Sequence, residues 1–540
     1  MNRREFLYLT GGFTALTLCP ASGAAFSLQE PRTVQTKILG MYVHEGWPYN
    51  HPYAARTWTV EDWRGYADGL SKLGYNTISV WPALETMPDP LLPSDRAQIE
   101  KTAAVVDLLH REFDFRVYVT ICPNVVPYPT IAEKYAFEDR PLFAGTTLED
   151  PSDPVALKRM MDRREKLLRP LERMDGLVVI DSDPGAYPGS TNAQFVNVLH
   201  EYRKLLDRLR PGIEVVYWMH MGWAAFSRYE ATGQFRWGDP AEAEDVLRRL
   251  KELNDMKPFR ITIHTLDPPP NGTDLKLAEK MGLASNALTF NYGAIEAEPS
   301  FPITNFGGGG AFKAGQLSAP GGVVGNAQTH CVQLPNTLAF ARGAEGKALP
   351  TEADYVEFAN DLIMGQGQLI VQSWRALAGA DPATMREMAG KLEALDRRKL
   401  TPGPLKGLLF GDPSRFITDI VMELRLRAAF EDFVLTSEKN RDIKGPFQAF
   451  VAAADAYQMR TGYPCLWDWP RLDESLRRLK SPAIGAILDE KDFLKEIPAK
   501  EGTPFRAGGP YHNRYSDGLM KAETSTPRLI EAMKEALKRL

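Results

Sequence analysis

Two aspartates separated by a single residue, Asp181 and Asp183 in the run from Gly176 to Gly185, are the residues whose type and spacing most directly suggest chemistry. Residues two apart along a strand lie about 6.5 Å from each other. Like charges at that range drive their pKa values apart, so one carboxyl stays protonated while the other ionises. Cleavage of a glycosidic bond needs that division: one acid protonates the departing oxygen, and one carboxylate activates water, attacks, or steadies a cationic intermediate. Asp-Pro-Gly is also a good turn sequence, so the placement of the pair decides between the two readings.

The elements that must position these acids alternate regularly. From Ile38 to about Gln328, eight short β-branched or aromatic runs are interleaved with amphipathic helical patterns, the arrangement of parallel βαβ units. The runs begin at Ile38, Asn76, Arg116, Gly176, Val215, Phe259, Leu288 and Gly322. The first lacks a GxGxxG turn, and polar side chains recur at the ends of nearly all strands, as in a closed (β/α)8 barrel whose chemistry sits at the C-terminal rim. The expected fold is therefore a TIM barrel over residues 37–345, followed by a mostly α-helical domain over 350–540.

Alternate residues of each strand point into the barrel or outward beneath the helices. If the outward set is apolar, Tyr42 and His44, Ser79 and Trp81, Tyr118 and Thr120, and Arg260, Thr262 and His264 face inward. In the fourth strand the same rule places Val178 and Ile180 outward, with Asp181 and Asp183 inward. In the seventh it places Leu288 and Phe290 outward, with Thr289 and Asn291 inward. In the eighth, Val324 is read as outward, with Asn326 and Gln328 inward. The fifth strand is ambiguous between Tyr217 and Trp218. The catalytic candidates are thus Asp181 and Asp183. Substrate-binding candidates are His44, Glu45, Trp47, Trp81, Tyr187, Trp218, His220, His264, Asn291 and Gln328, because aromatic faces suit sugar rings and the polar groups suit their hydroxyls. Glu45, Glu85, Asp267, Glu296 and Glu298 are reserve carboxylates. His44, His220, His264 and His330 follow four different strands without HxH or HExxH spacing, so no metal and no cofactor is expected.

Composition narrows the classes. Of 540 residues, 44% are apolar and 25% charged, ordinary for a protein with a large core. A net charge of -5 without a basic run excludes the electrostatic footprint of a nucleic-acid binder. The four cysteines, Cys19, Cys122, Cys331 and Cys465, form no metal or disulfide pattern, although Cys122 and Cys331 could pair. Residues 1–25 resemble a twin-arginine export signal: Arg3-Arg4-Glu5-Phe6-Leu7, a short apolar stretch, then small residues at Ser22 to Ala25. A periplasmic or extracellular location follows, without stable membrane insertion after cleavage.

With paired acids at the fourth strand, the chain resembles the exported barrel glycoside hydrolases that include the β-hexosaminidases and O-GlcNAc hydrolases. The resemblance implies a carbohydrate substrate, with Asp181 polarising an acetamido group and Asp183 as general acid. It also shows a departure, since those families have adjacent acids and here Ser182 intervenes. Barrel families that cleave uronic acid linkages also pair an exported barrel with a helical C-terminal domain, and there Arg56 or Arg260 would meet the sugar carboxylate. Two other readings are a metal-dependent lyase or isomerase acting on a sugar acid through the rim histidines, and a glycan-binding barrel without turnover.

Overall fold

The computed structural model describes residues 37–47, 49–140, 146–182, 185–220, 222–232, 240–253, 255–263, 275–290, 294–295, 306, 309–327, 329–332, 334–439, 442–462, 469–489 and 528–540. The export-signal segment, Asp183, His264, Asn291, Gln328, Asp267, Glu296, Glu298, Cys19 and Cys465 lie outside the described residues.

All eight expected strands are present: β1 (Ile38–His44), β2 (Thr77–Trp81), β3 (Arg116–Ile121), β4 (Gly176–Ile180), β5 (Glu214–Trp218), β6 (Phe259–Ile263), β7 (Ala287–Phe290) and β8 (Gly322–Asn326). They are parallel, run in sequence order around a closed barrel, and β8 seals onto β1 with Tyr42 beside Asn326. The outer layer comprises α1 (Val60–Lys72), α2 (Pro93–Phe113), α3 (Pro154–Leu168), α4 (Asn192–Leu209), α5 (Trp223–Thr232), α6 (Pro240–Glu252), α7 (Leu275–Lys280), α8 (Gly310–Gln316) and α9 (Leu334–Ala344). Local sequence starts several of them. Thr59 and Asp62 form a reciprocal capping box on α1, as do Thr191 and Gln194 on α4, and Asp153 caps α3 ahead of Pro154.

Register between neighbouring strands fixes which side each residue faces, because laterally paired residues share a side. Tyr42 pairs with Ser79, Ser79 with Tyr118, Tyr118 with Gly176, and Gly176 with Glu214. Tyr118 and Glu214 meet inside the barrel through a 2.8 Å hydrogen bond, so the whole row faces inward. The inward residues of β4 are consequently Gly176, Val178 and Ile180, with Ile180 beside Trp218. Leu177, Val179 and Asp181 take the opposite side, towards the helices. The sequence-based orientation of β4 is therefore reversed. Its apolar rule had no purchase, because Leu177 to Ile180 are apolar on both faces, as parallel strands buried on both sides commonly are.

Strand β7 is reversed as well, because its polar residue, Thr289, finds its partners on the helix side. Phe290 packs on Tyr42 and Trp218 inside the barrel, while Thr289 donates to Leu317 O and accepts from Ala319 N–H on the outside. Val324 also faces inward, sharing the side of Asn326 as residues two apart must, and it pairs with Gly40 and Phe290. Strand β5 is settled with Trp218 inside and Tyr217 against Phe195 of α4.

Beyond the barrel the chain is helical: α10 (Glu352–Leu362), α11 (Gly367–Ala378), α12 (Pro382–Glu393), α13 (Pro413–Glu438), α14 (Lys444–Thr461), α15 (Trp469–Arg478) and α16 (Pro482–Leu488), then a last helix at 528–537. Tyr355 to Leu377 reads from sequence as one helix but is two, broken where Ile363–Met364 pairs with Thr401–Pro402 and Gly365 turns with φ +75°. Tyr355, Phe358, Ile370, Trp374 and Phe416 join the buried cluster of the barrel itself. At Gly407 a Cβ would stand 1.8 Å from Gly65 O, so this region meets α1 backbone to backbone and only glycine fits.

A second cluster, built on Phe430, Phe433, Phe447 and Phe450, takes in Trp47, Tyr49 and Tyr53 from the loop after β1. Tyr53 donates to Asp419 (2.7 Å), and Asn50 N–H to Thr461 O (3.0 Å). The helical region thus covers the C-terminal rim on the β1 side.

Candidate active site

The mouth of the barrel is walled by rings. Trp218, the last residue of β5, packs edge to face with Tyr42 (centroids 5.4 Å) and Phe290 (4.2 Å). His44, the last residue of β1, lies edge to face with Trp81 (4.9 Å) and stacks on Trp47 (5.2 Å). Tyr42 and Phe290 are site residues that the sequence reading did not nominate; strict alternation from His44 points to the first, while nothing in the apolar run of β7 marks the second.

Gly46 N–H donates to His44 Nδ1 (2.9 Å), which puts the ring proton on Nε2. Burial, then Arg56 and His330, lowers the His44 pKa to about 3, so the ring is a neutral donor at ordinary pH. His330 is likewise lowered to about 3 by burial, with Nδ1 at 2.6 Å from Tyr66 OH. The Trp218 Nε1–H is buried and meets no hydrogen-bond acceptor among the described residues. Leaving such a donor unmatched costs about 1–3 kcal/mol, and the buried indoles of Trp63 and Trp223 are unmatched in the same way.

The acids at the described strand ends behave differently. Asp181 is 1% exposed and accepts from Ser182 Oγ (2.8 Å), Tyr217 OH (3.0 Å), His220 N–H (3.1 Å) and Gly222 N–H (3.3 Å). Burial raises its pKa, and the bonds from Ser182, His220 and Tyr217 oppose that shift. This carboxylate ties the loop after β5 to the end of β4. Glu45 accepts from Gln98 of α2, and burial lifts its pKa to about 7 against the pull of Lys101, Arg56 and Gln98. Glu85 accepts from Trp81 Nε1 (3.2 Å) and from Cys122 N–H. All three acids are buried with protein donors on them.

Other nominated residues divide in the same way. Trp47 lies between His44 and Tyr49 inside the helical region's core, so its faces are packed. Tyr187 is half-buried, its N–H on Ser190 Oγ and its carbonyl accepting from Ser227, with Glu149 and Asp150 near its phenol. His220 is half-buried beside Trp218 (5.9 Å) at the mouth.

Arg56 does not await a sugar carboxylate: it donates to the carbonyls of Glu45, Gly46, Phe137, Glu138 and Arg140. Arg260 lies at the opposite end of the barrel, bonded through Nε to Glu214 at 2.7 Å. Cys122 and Cys331 are both buried and are not joined by a disulfide. Among the described residues no three His, Cys, Asp or Glu side chains converge as a metal site would require.

No protein-family model matches the sequence, and a search of curated proteins finds no match. Among solved structures the chain is similar to a GH138 enzyme targeting pectin rhamnogalacturonan II, at 10% identity over 85% of this chain and 69% of that one, with a TM-score of 0.45. It is similar to a mutant Thermobaculum terrenum O-GlcNAc hydrolase at 9% identity over 84% and 97%, TM-score 0.43. It is also similar to a family GH115 4-O-methyl-α-glucuronidase at 9% over 78% and 58%, TM-score 0.46.

Proposed function

We propose that this chain is an exported glycoside hydrolase whose reaction takes place in the C-terminal mouth of the barrel. The observation that carries the reading is the mouth itself: Tyr42, Trp81, Trp218 and Phe290 enclose it with apolar ring surface, while His44 and Trp218 offer neutral N–H donors. Convergent rings with a few polar groups are what a sugar, apolar on its faces and hydroxylated at its edges, requires. Parallel barrels also do their chemistry at this end.

Setting aside the acids committed to structure leaves Asp183, Asp267, Glu296 and Glu298 as candidates for the reaction. Glu45, Glu85 and Asp181 are buried in bonds that hold loops. Asp183, two residues past Asp181, is therefore the proposed general acid, and Glu296, in the loop after β7, its proposed partner. Asp181 becomes a positioning residue. Residues 3–7, read as a twin-arginine motif, would route the protein to the periplasm or beyond. Among the described residues no helix is long and apolar enough to cross a membrane.

The test is release of 4-nitrophenol from a panel of 4-nitrophenyl α- and β-glycosides, with Glu296→Gln alongside the parent. Turnover by the parent and a loss of about 10²–10⁴-fold in the variant are expected for a lost acid or base. Binding across the panel with no turnover by the parent would make the protein a glycan-binding barrel instead.

A further inference from the structure

The tautomer of His44 is fixed from within its own loop, by Gly46 N–H on Nδ1 (2.9 Å). The plane of its ring is set by a stack. Trp47 lies on His44 with centroids 5.2 Å apart and 29° between the planes, and Tyr49 lies on Trp47 at 5.8 Å and 6°. Trp47 and Tyr49 belong to the buried cluster of Phe430 and Phe433 from α13 and Phe447 and Phe450 from α14. The donor at the end of β1 is thus the first ring of a stack whose other rings sit in the core of the helical region.

Polar contacts dock the same loop on the same helices. Asn50 N–H donates to Thr461 O (3.0 Å), and Asn50 Nδ2 donates to Arg460 O (3.0 Å) and Met459 O (3.2 Å). Carbonyls in the last turn of a helix have no donor within it, so this one residue of the loop after β1 caps the end of α14. Gly462 ends that helix at φ +83°, and a Cβ there would stand 2.9 Å from Asn50 N. Three residues on, Tyr53 OH donates to Asp419 Oδ1 of α13 (2.7 Å), the oxygen that also takes Arg460 Nε (2.6 Å), while Arg415 holds the other oxygen. Asp419 therefore ties α13, α14 and the loop to one another.

The neighbouring strand ends are held from inside the barrel instead. Glu85 takes Trp81 Nε1–H and Cys122 N–H at the ends of β2 and β3, and Asp181 takes the backbone N–H groups of His220 and Gly222 after β5. At β1 the holding groups come from helices at the far end of the chain. Their hold has a consequence for binding, because a hydrogen bond weakens steeply as it bends and a binding group works only when held within about 10–20° of its direction.

Resting on the hydrolase reading for what the mouth binds, we propose that Asn50 and Tyr53 are positioning residues: by docking the loop after β1 on α13 and α14 they fix the Trp47 stack, and through it the plane in which His44 Nε2–H meets the sugar. The helical region is then a working part of the binding site, and His44 is its point of action.

Asn50→Ala, Tyr53→Phe and the double variant remove these bonds without altering a ring of the mouth. Tyr53→Phe leaves Asp419 with both arginines, so its charge stays compensated. In the unliganded full chain the imidazole resonances of His44, assigned by their absence in His44→Phe, report the ring currents of Trp47; they are expected to shift in each variant and most in the double. Binding of a 4-nitrophenyl glycoside cleaved by the parent is expected to weaken about threefold in each single variant and about tenfold in the double, as a higher KM with kcat nearly unchanged. In a His44→Phe background the same substitutions should change binding by less than about twofold, because groups that act through one another are not additive. Unmoved His44 resonances in the double variant overturn the proposal, as do equal losses of binding with and without His44. His44 resonances that move in a protein that binds no glycoside of the panel leave the positioning of His44 standing and count against the hydrolase reading alone.

Discussion

The two ends of this barrel are both polar, and they treat their polar groups in opposite ways. At the N-terminal end Glu214 accepts from Tyr118 OH (2.8 Å) and from Arg260 Nε (2.7 Å), so acid, phenol and guanidinium neutralise and satisfy one another. At the C-terminal end the buried Trp218 indole meets no acceptor among the described residues, and His44 at the β1 terminus is held neutral. The first arrangement is closed and contributes to stability; the second leaves hydrogen-bonding capacity for another molecule. A polar group's remaining capacity, more than its position at a strand end, separates the two roles. By that criterion Asp181, with four donors on it, belongs with the closed end although it lies at the open one.

The comparison breaks most visibly at Arg260. Arg260→Met should leave the Glu214 charge with Tyr118 alone and lower stability by about 3 kcal/mol, the low end for a broken buried pair because the Glu214 side chain keeps 20% exposure. Denaturant unfolding measures this, and KM for any cleaved glycoside should not change. A rise in KM with unchanged stability would put Arg260 in the site after all.

Glu45 sharpens the comparison more gently. Its pKa is raised from 4.5 to about 7 in the folded chain, so between those values the unfolded state releases a proton that the folded state retains. Stability therefore falls as pH rises from about 4.5 to about 7 and is flat on this account above that. Glu45→Gln keeps an acceptor for Gln98 and removes the titration. The variant should lose this slope and gain up to a few kcal/mol over the parent above pH 7. Unfolding curves at several pH values check it; an unchanged slope in Glu45→Gln would mean that another group titrates there.

Much of the fold could be read from the sequence because it depends on local pattern. Eight apolar runs alternate with helical periodicity, and Thr59, Asp153 and Thr191 mark helix starts by their own side chains. Orientation was legible only where one face carries polar residues, as in β1 with Tyr42 and His44. In β4 both faces are apolar, and in β7 the polar Thr289 lies on the helix side, so only the neighbouring strands' register tells inside from outside. A buried acid under a helix looked too costly to allow, yet Ser182, Tyr217 and two backbone N–H groups meet Asp181 there, and the latter two donors come from a loop nearly forty residues on. The role of Trp47, Tyr49 and Tyr53 was hidden for a similar reason: the helices that pack on them come from the far end of the chain.

Turnover of a cleaved glycoside by Asp181→Asn and Asp183→Asn, each measured well below its own unfolding temperature, tests the division of the acidic pair most directly. Loss of a reacting acid lowers kcat by about 10²–10⁴-fold. That loss is expected for Asp183→Asn, without loss of stability. Asp181→Asn should keep kcat within about tenfold of the parent and pay in stability instead, by about 1–3 kcal/mol for its disturbed buried bonds. A kcat that collapses in Asp181→Asn and survives in Asp183→Asn would contradict it.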